Sequence, residues 1–333
     1  MGGYSVTSDR FQRAGTRERN LGLELVRVTE AAAFAASAFL GRGDKEAVDQ
    51  AAVDAMRSAI EGVDMHGVVV IGEGEKDEAP MLYVGEEVGN GLPPEVDVAV
   101  DPVDGTRLTA LGLPGAIAVV ATAKRGTMFQ APPGVYYMEK LAVGRDAAHV
   151  IDLEAPISEN LNRIAVARGV PVNDVTVTVL DRTRHGDIIQ AIREVGARVK
   201  LIPDGDVAAA LQAAMEEYHA ADVYMGIGGA PEAVLAAAAI KCVGGEMLCR
   251  IWPRTDDERN QLKADGVDLT RIYGVNELIT SDDVSFAATG ITTGDLLRGV
   301  EVGHHNARTH SVMMRARTGT IRYITAVHRW NRG

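Results

Sequence analysis

Apolar positions along the chain fall into two rhythms. Leu21, Leu25, Val28 and Ala32 recur at helical spacing, which predicts a helix capped by Asn20 and running to about Leu40. "GRGDK" interrupts it. Glu46 to Ile60 then reads as a second helix, with Val48, Ala52, Val53, Met56 and Ile60 as its apolar stripe. Beyond that the period shortens to two. "GVVVIGEGE" predicts a buried strand ending in glycines and acids. "EVDVAVD" puts Val96, Val98 and Val100 on one face and Asp97, Ala99 and Asp101 on the other, with a break at Asp101-Pro102. "AIAVVATA" and "GVYYMEKLAVG" extend the strand-rich run.

After about residue 170 strands and helices alternate. "DVTVTVLD", "ARVKLIPDGD" and "ADVYMGIGGAP" predict strands, followed by helices over Arg184 to Val195, Val207 to Glu217 and Glu232 to Cys242. This alternation implies a sheet with parallel members and a ligand crevice beyond the carboxyl ends of its strands. "VSFAATGI", "THSVMMRA" and "TIRYITAVH" add three strands that the pattern assigns to neither sheet. The expected organisation is a polar, mobile tail over 1–19, a half over 20–170 and a second α/β half over 171–333.

Composition narrows the class. The chain has 333 residues, 46% hydrophobic, with 36 glycines and few aromatics, which suits an α/β protein rich in tight turns. A formal charge of −12 argues against nucleic acid or anionic membrane as a bulk partner, though not against a local basic pocket for a small anion. The longest uncharged apolar run, "AAAFAASAFL", is too short to span a bilayer, and no signal pattern opens the chain. Cys242 and Cys249 match no metal or redox spacing and read as reduced, structural residues of a cytoplasmic protein.

Several acids stand where acids are costly. Asp49 belongs to the apolar stripe of the second helix, and a carboxylate turned inward needs a cation, a metal or several donors. Taken alone it suits an internal ion pair with Lys45. In "GEGEKDE", Glu73 lies nearest the strand end and is the better ligand candidate, whereas Asp77 and Glu78 suit a solvated turn. Asp101 and Asp104 flank the Pro102 turn at a strand end, and a divalent cation between them would relieve their repulsion. Hard oxygen donors without a nearby histidine favour Mg2+ or Mn2+ over zinc. Gly105 allows close approach of backbone amides to a phosphate, and Thr106 adds a hydroxyl. A capped surface turn is the competing reading of DPVDGT alone.

Further along, "GIGGAPE" makes a glycine-rich strand-to-helix turn with Pro231 and Glu232 in the first helical turn. "RTRH" at 182–185 could grip a second phosphate or simply start a helix. In "PDGD", Asp206 could cap the next helix and Asp204 could meet a sugar hydroxyl. His304, His305 and His310 read as surface residues.

With these residues assembled, the chain resembles the class II fructose-1,6-bisphosphatases, of the lithium-sensitive, metal-dependent phosphosugar phosphatases. "GRGDKEAVDQAAVDAMR", "VVVIGEGEKDEAPMLYVGEEVG", "DPVDGTRLTALG", "YYMEKLAVG", "IPDGDVAAA", "GIGGAPEAV" and "ATGITTGDLL" follow that family's order from about Leu21 to His328. The resemblance implies a layered sugar-phosphatase sandwich, mixed α+β, with the active site between two α/β halves. It implies metal ligands at Asp49, Glu73, Asp101, Asp104 and Glu232. Asp104, Gly105 and Thr106 would surround one phosphate. Tyr137, Arg182, Thr183, Arg184, Asp204, Gly205, Asp206 and Gly229 would hold the sugar and the far phosphate. The implied reaction is metal-assisted hydrolysis of the 1-phosphate of fructose 1,6-bisphosphate by water, in gluconeogenesis, with Thr106 and Asp49 catalytic. A homodimer or homotetramer is also implied. Thr183 stands where the family often has proline, and Ala233 where it often has glycine, which bears on substrate preference more than on catalysis.

Overall fold

A computed structural model describes residues 21–74, 81–215 and 220–330. The expected tail, the Asn20 cap, Asp77 and Glu78, and the end of the helix expected to reach Glu217 lie outside the described residues.

The elements are α1 (Leu21–Ser37), α2 (Lys45–Glu61), β1 (His66–Ile71), β2 (Glu87–Val88), β3 (Glu95–Asp104), α3 (Thr106–Leu111), β4 (Ile117–Lys124), β5 (Tyr137–Val143), α4 (Ile157–Arg168), β6 (Thr176–Leu180), α5 (Gly186–Val195), β7 (Arg198–Ile202), α6 (Asp206–Ala214), β8 (Val223–Gly229), α7 (Ala230–Val243), β9 (Glu246–Ile251), α8 (Asp256–Ala264), β10 (Ile272–Tyr273), α9 (Val275–Leu278), β11 (Val284–Gly290), β12 (Glu301–Val302), β13 (Asn306–Arg315) and β14 (Thr320–Arg329). They build two mixed sheets. The first runs β12-β13-β11-β4-β3-β1-β2, with β14 also paired to β13; the second runs β10-β9-β5-β8-β6-β7. The three late strands therefore join the first sheet, through the β4–β11 pairing. Strands from both sides of residue 170 contribute to each sheet. β6 runs parallel to β7 and to β8, as the strand–helix alternation implies.

Three apolar cores separate the layers. Val96, Val98 and Val100 of β3 meet Leu25, Val28, Val48 and Met56 of α1 and α2. Ala99, on the other face of β3, joins a core that includes α6, α7 and the inner face of the second sheet. Leu141 and Val177 on the outer face of that sheet meet Leu161 of α4 and Ile192 of α5. The order is helix, sheet, helix, sheet, helix. α7 lies in the middle layer and is apolar almost all round, as a helix covered on both sides must be. Both middle helices start at the same end of the sandwich, where β3, β6 and β8 finish.

β3 does not break at Asp101-Pro102. It continues to Asp104 through an irregularity: Asp101 pairs with Val119 and Asp104 with Ile117, so three steps on β3 oppose two on β4. Regular alternation would turn residues three apart to opposite faces. The extra residue resets the alternation, and both acids face one crevice.

Candidate active site

The crevice lies at the ends of β3, β6 and β8 and the starts of α6 and α7, and has a volume of about 550 Å³. Glu73, Asp101, Asp104, Gly105, Thr106, Tyr137, Arg182, Arg184, Asp204, Asp206, Gly229 and Glu232 all line it. Asp49 stands just behind, where its Oδ1 accepts a 2.7 Å hydrogen bond from the Thr106 hydroxyl. Thr183 and Gly205 are not on the lining. Thr183 begins a short 3-10 turn before α5 and is exposed, and Gly205 is the left-handed residue (φ 85°) that precedes α6.

Local chemistry explains each placement. Gly105 sits at φ 96°, and a side chain there would strike Leu108, so the turn into α3 requires glycine. Asp101 Oδ1 accepts the Val103 N–H at 2.9 Å and closes the bulge. Asp104 Oδ2 accepts the Ala208 N–H at 3.3 Å and so serves the start of α6. Asp206 does not cap that helix. Its Oδ2 takes the buried Lys140 ammonium at 2.7 Å and lies 3.3 Å from the Tyr224 hydroxyl. A Cβ on Gly228 would fall 2.0 Å from that oxygen, so the pair exists because residue 228 has no side chain. A Cβ on Gly229 would fall 1.8 Å from Glu232 Oε2.

The acids crowd one another. Burial, then Asp104, Glu73 and Glu232, hold the Asp101 carboxyl well above the usual range. Burial, then Asp206 and Glu232, do the same for Asp104. Glu73 is open to the crevice on one side, yet the surrounding walls remove enough water to push its carboxyl up to about 7, with Asp49 and Glu232 adding repulsion. Burial raises Asp49 too, against the Thr106 hydrogen bond and the charge of Lys45. Glu232 is raised by burial and Asp206 and partly relieved by Lys140. Its Oε2 is buried and meets no hydrogen-bond partner among the described residues. Hard, mutually repelling oxygens with an orphan among them are the chemistry that a divalent cation satisfies. As placed, no three Asp, Glu, His or Cys among the described residues close round one point, so the acids form a wall rather than a finished cage.

Guanidinium groups line the same crevice. Arg182 donates to the Pro203 carbonyl at 2.6 Å, with Asp204 at 3.5 Å. Arg184 donates to the Ile227 carbonyl at 2.8 Å and lies 5.1 Å from the Tyr137 ring centre. His185, quoted with these arginines, is fully buried instead. Its Nε2 accepts the Ile227 N–H at 2.9 Å and its Nδ1 bonds the Leu180 carbonyl at 2.7 Å, which fixes the neutral tautomer. Burial lowers its pKa accordingly.

Sequence reasoning missed Lys140, Tyr224 and Arg254. Lys140 shares a face of β5 with Met138 and Ala142, and a lysine on an apolar strand face was a legible sign of a buried partner. Arg254 follows the end of β9, a strand not singled out from the sequence. His304 and His305 are exposed, as expected, and His310 is half-buried on β13. Cys242 and Cys249 are free and buried, and burial pushes both thiols up to about 12.

Clustered acids and guanidinium groups lining one sugar-sized crevice suit a hydrolase of small phosphorylated substrates. The comparisons with known proteins make that class particular. The family model described as bacterial fructose-1,6-bisphosphatase, glpX-encoded, matches residues 19–328. The class 2 fructose-1,6-bisphosphatase of Haemophilus influenzae is 45% identical over 323 residues, covering 93% of this chain and 96% of its own. Fructose-1,6-bisphosphatase 1 class 2 of Escherichia coli K12 is also 45% identical, covering 93% and 95%. The chain belongs to this family of bacterial class 2 fructose-1,6-bisphosphatases. Among solved structures, an extragenic suppressor from Pyrococcus furiosus aligns over 57% of this chain and 68% of its own at 16% identity, with a TM-score of 0.30.

Proposed function

We propose that the protein hydrolyses the 1-phosphate of fructose 1,6-bisphosphate, giving fructose 6-phosphate and inorganic phosphate. The observation that carries this reading is the meeting of Asp101, Asp104, Glu73 and Glu232, from three separate stretches of chain, beside the Thr106–Asp49 hydrogen bond. Asp49, Glu73, Asp101, Asp104 and Glu232 are the residues that would hold Mg2+ or Mn2+, the cofactor expected of a metal-dependent family. Such a cation supplies neutralisation of phosphate charge and acidification of water.

The chain's own groups do the rest. The turn at Gly105 presents backbone to the phosphate to be cleaved. The Thr106 hydroxyl donates to Asp49, so its lone pairs point outward to accept a proton from the attacking water. As the threonine oxygen takes that proton it passes its own hydroxyl proton to Asp49; the water oxygen bonds to phosphorus while the bond from phosphorus to the C1 oxygen breaks, and that oxygen leaves with a proton from solvent. Asp204 offers a carboxylate to the sugar hydroxyls, while Tyr137, Arg182 and Arg184 hold the far phosphate. Asp206 acts at one remove, through its bond to Lys140.

Lithium sensitivity, a cytoplasmic location and a homodimer or homotetramer belong to the same reading. No helix among the described residues is long and apolar enough to cross a membrane. Phosphate release from fructose 1,6-bisphosphate with and without Mn2+, beside sedoheptulose 1,7-bisphosphate and an inositol phosphate, tests it. Preference for either alternative would reassign the substrate, and turnover independent of metal would reject the cation role.

A further inference from the structure

Arg254 stands three residues beyond β9 and lines the crevice. The loop that carries it is fastened to the start of β5. The Trp252 N–H donates to the Tyr137 carbonyl at 2.9 Å, and the Trp252 ring meets the Tyr137 ring edge-on at 6.4 Å. The Arg254 guanidinium lies 4.3 Å from the Tyr136 ring centre and 5.9 Å from that of Tyr137. Arg184 lies 5.1 Å from the same Tyr137 ring, so two guanidiniums attend one tyrosine.

Their commitments differ. Arg184 spends Nε and Nη2 on the Ile227 carbonyl. Arg254 binds Glu258 through Nε at 2.6 Å and through Nη2; among the described residues its Nη1 meets no acceptor. Its side chain keeps 46% of its surface open. A planar fork stacked on an aromatic ring and braced at one edge loses little freedom when the other edge takes an anion.

We infer that Arg254 is a specificity-determining residue that holds the phosphate of the sugar remote from the ester being cleaved. The assignment rests on the bisphosphate reading above and adds to it a contact outside Arg182 and Arg184. Glu258 tunes it by competing for the same guanidinium.

The test uses the full-length protein with Mn2+ and two ligands, each carrying one of the phosphates. Calorimetric titration of fructose 6-phosphate should show at least tenfold weaker binding for Arg254→Met and a smaller loss for Arg254→Lys. Fructose 1-phosphate, which lacks the remote phosphate, should shift less than twofold. With fructose 1,6-bisphosphate the loss should fall on KM rather than kcat. Undiminished fructose 6-phosphate binding by Arg254→Met would overturn the assignment, as would equal losses for the two monophosphates. If the wild-type protein releases no phosphate from the bisphosphate while the binding difference persists, the proposed reaction fails and the anion contact stands.

Discussion

Thr106 and Asp49, 57 positions apart in the chain, are joined by a 2.7 Å hydrogen bond in which the threonine hydroxyl is the donor. The bond links the first turn of α3 to the second turn of α2 and fixes which way the threonine lone pairs face. Thr106→Ala should lower kcat by about 10²–10⁴-fold, the range for a positioned proton-transfer group, whereas Thr106→Ser should stay within about tenfold of wild type. Phosphate-release kinetics decide it. An equal loss in both variants would mean that the methyl group matters and the hydroxyl does not.

Gly229 separates stability from activity. An alanine Cβ at this position would fall 1.8 Å from Glu232 Oε2, the far end of a flexible side chain that can swing aside. Gly229→Ala should therefore melt close to wild type. Its metal-dependent turnover should drop by at least about tenfold, the scale of losing one positioned ligand interaction. Thermal melts and Mn2+ activation curves on the same preparation check this, and unchanged activation would remove Glu232 from the ligand set.

Lys140 is 1% exposed and offsets Asp206 in the middle layer. Asp206 and Glu232 outweigh the cost of burying the ammonium, and its pKa is raised. Lys140→Met leaves the carboxylate without its counter-charge, a loss on the order of 3–5 kcal/mol. Adding Asp206→Asn should recover part of it, because removing both charges costs less than stranding one. Urea unfolding of the two variants measures the difference; no recovery would mean that packing of the lysine stem dominates.

The raised acids make the metal-free protein less stable as pH rises from acid towards neutral. Glu73 titrates at 4.5 when unfolded and at about 7 when folded, so between those values the native state holds more proton. Its contribution to stability is complete below pH 4.5 and is lost as pH rises through about 7. The chelated protein should melt at progressively lower temperature across that window, and Glu73→Gln should flatten the fall. His185, neutral when folded, acts in the opposite direction and is common to both proteins. Added Mn2+ or Mg2+ should stabilise more at higher pH, where the acids are free of protons. Parallel slopes for wild type and variant would remove Glu73 from the account.

The helices and central strands were legible because their periodicity is strong. α2 departs from its expected bounds by one residue at each end, and Val96, Val98 and Val100 share one face as the alternation required, the face that α1 and α2 cover. The strand ends bearing acids were legible through the rule that crevices open at carboxyl ends. The β3 bulge was not, since proline normally ends a strand and an extra residue leaves no local mark. The Lys140–Asp206 pair was hidden for another reason: a bond spanning 66 positions depends on glycines in a third strand segment. Arg254 was overlooked because the alternating "EMLCRI" before it resembles neither a long apolar run nor a glycine-ended strand.

β4 has β3 on one side and β11 on the other, and the second partner is Val284–Gly290. As the chain leaves the ribosome, Ile117–Lys124 therefore waits with one row of backbone donors and acceptors unsealed until more than a hundred further residues have been made. An open, valine- and alanine-rich edge is a template for pairing with another nascent chain. Closure of the first sheet consequently waits on a segment far downstream, and until that segment arrives the β4 edge depends on its burial among neighbouring helices for protection.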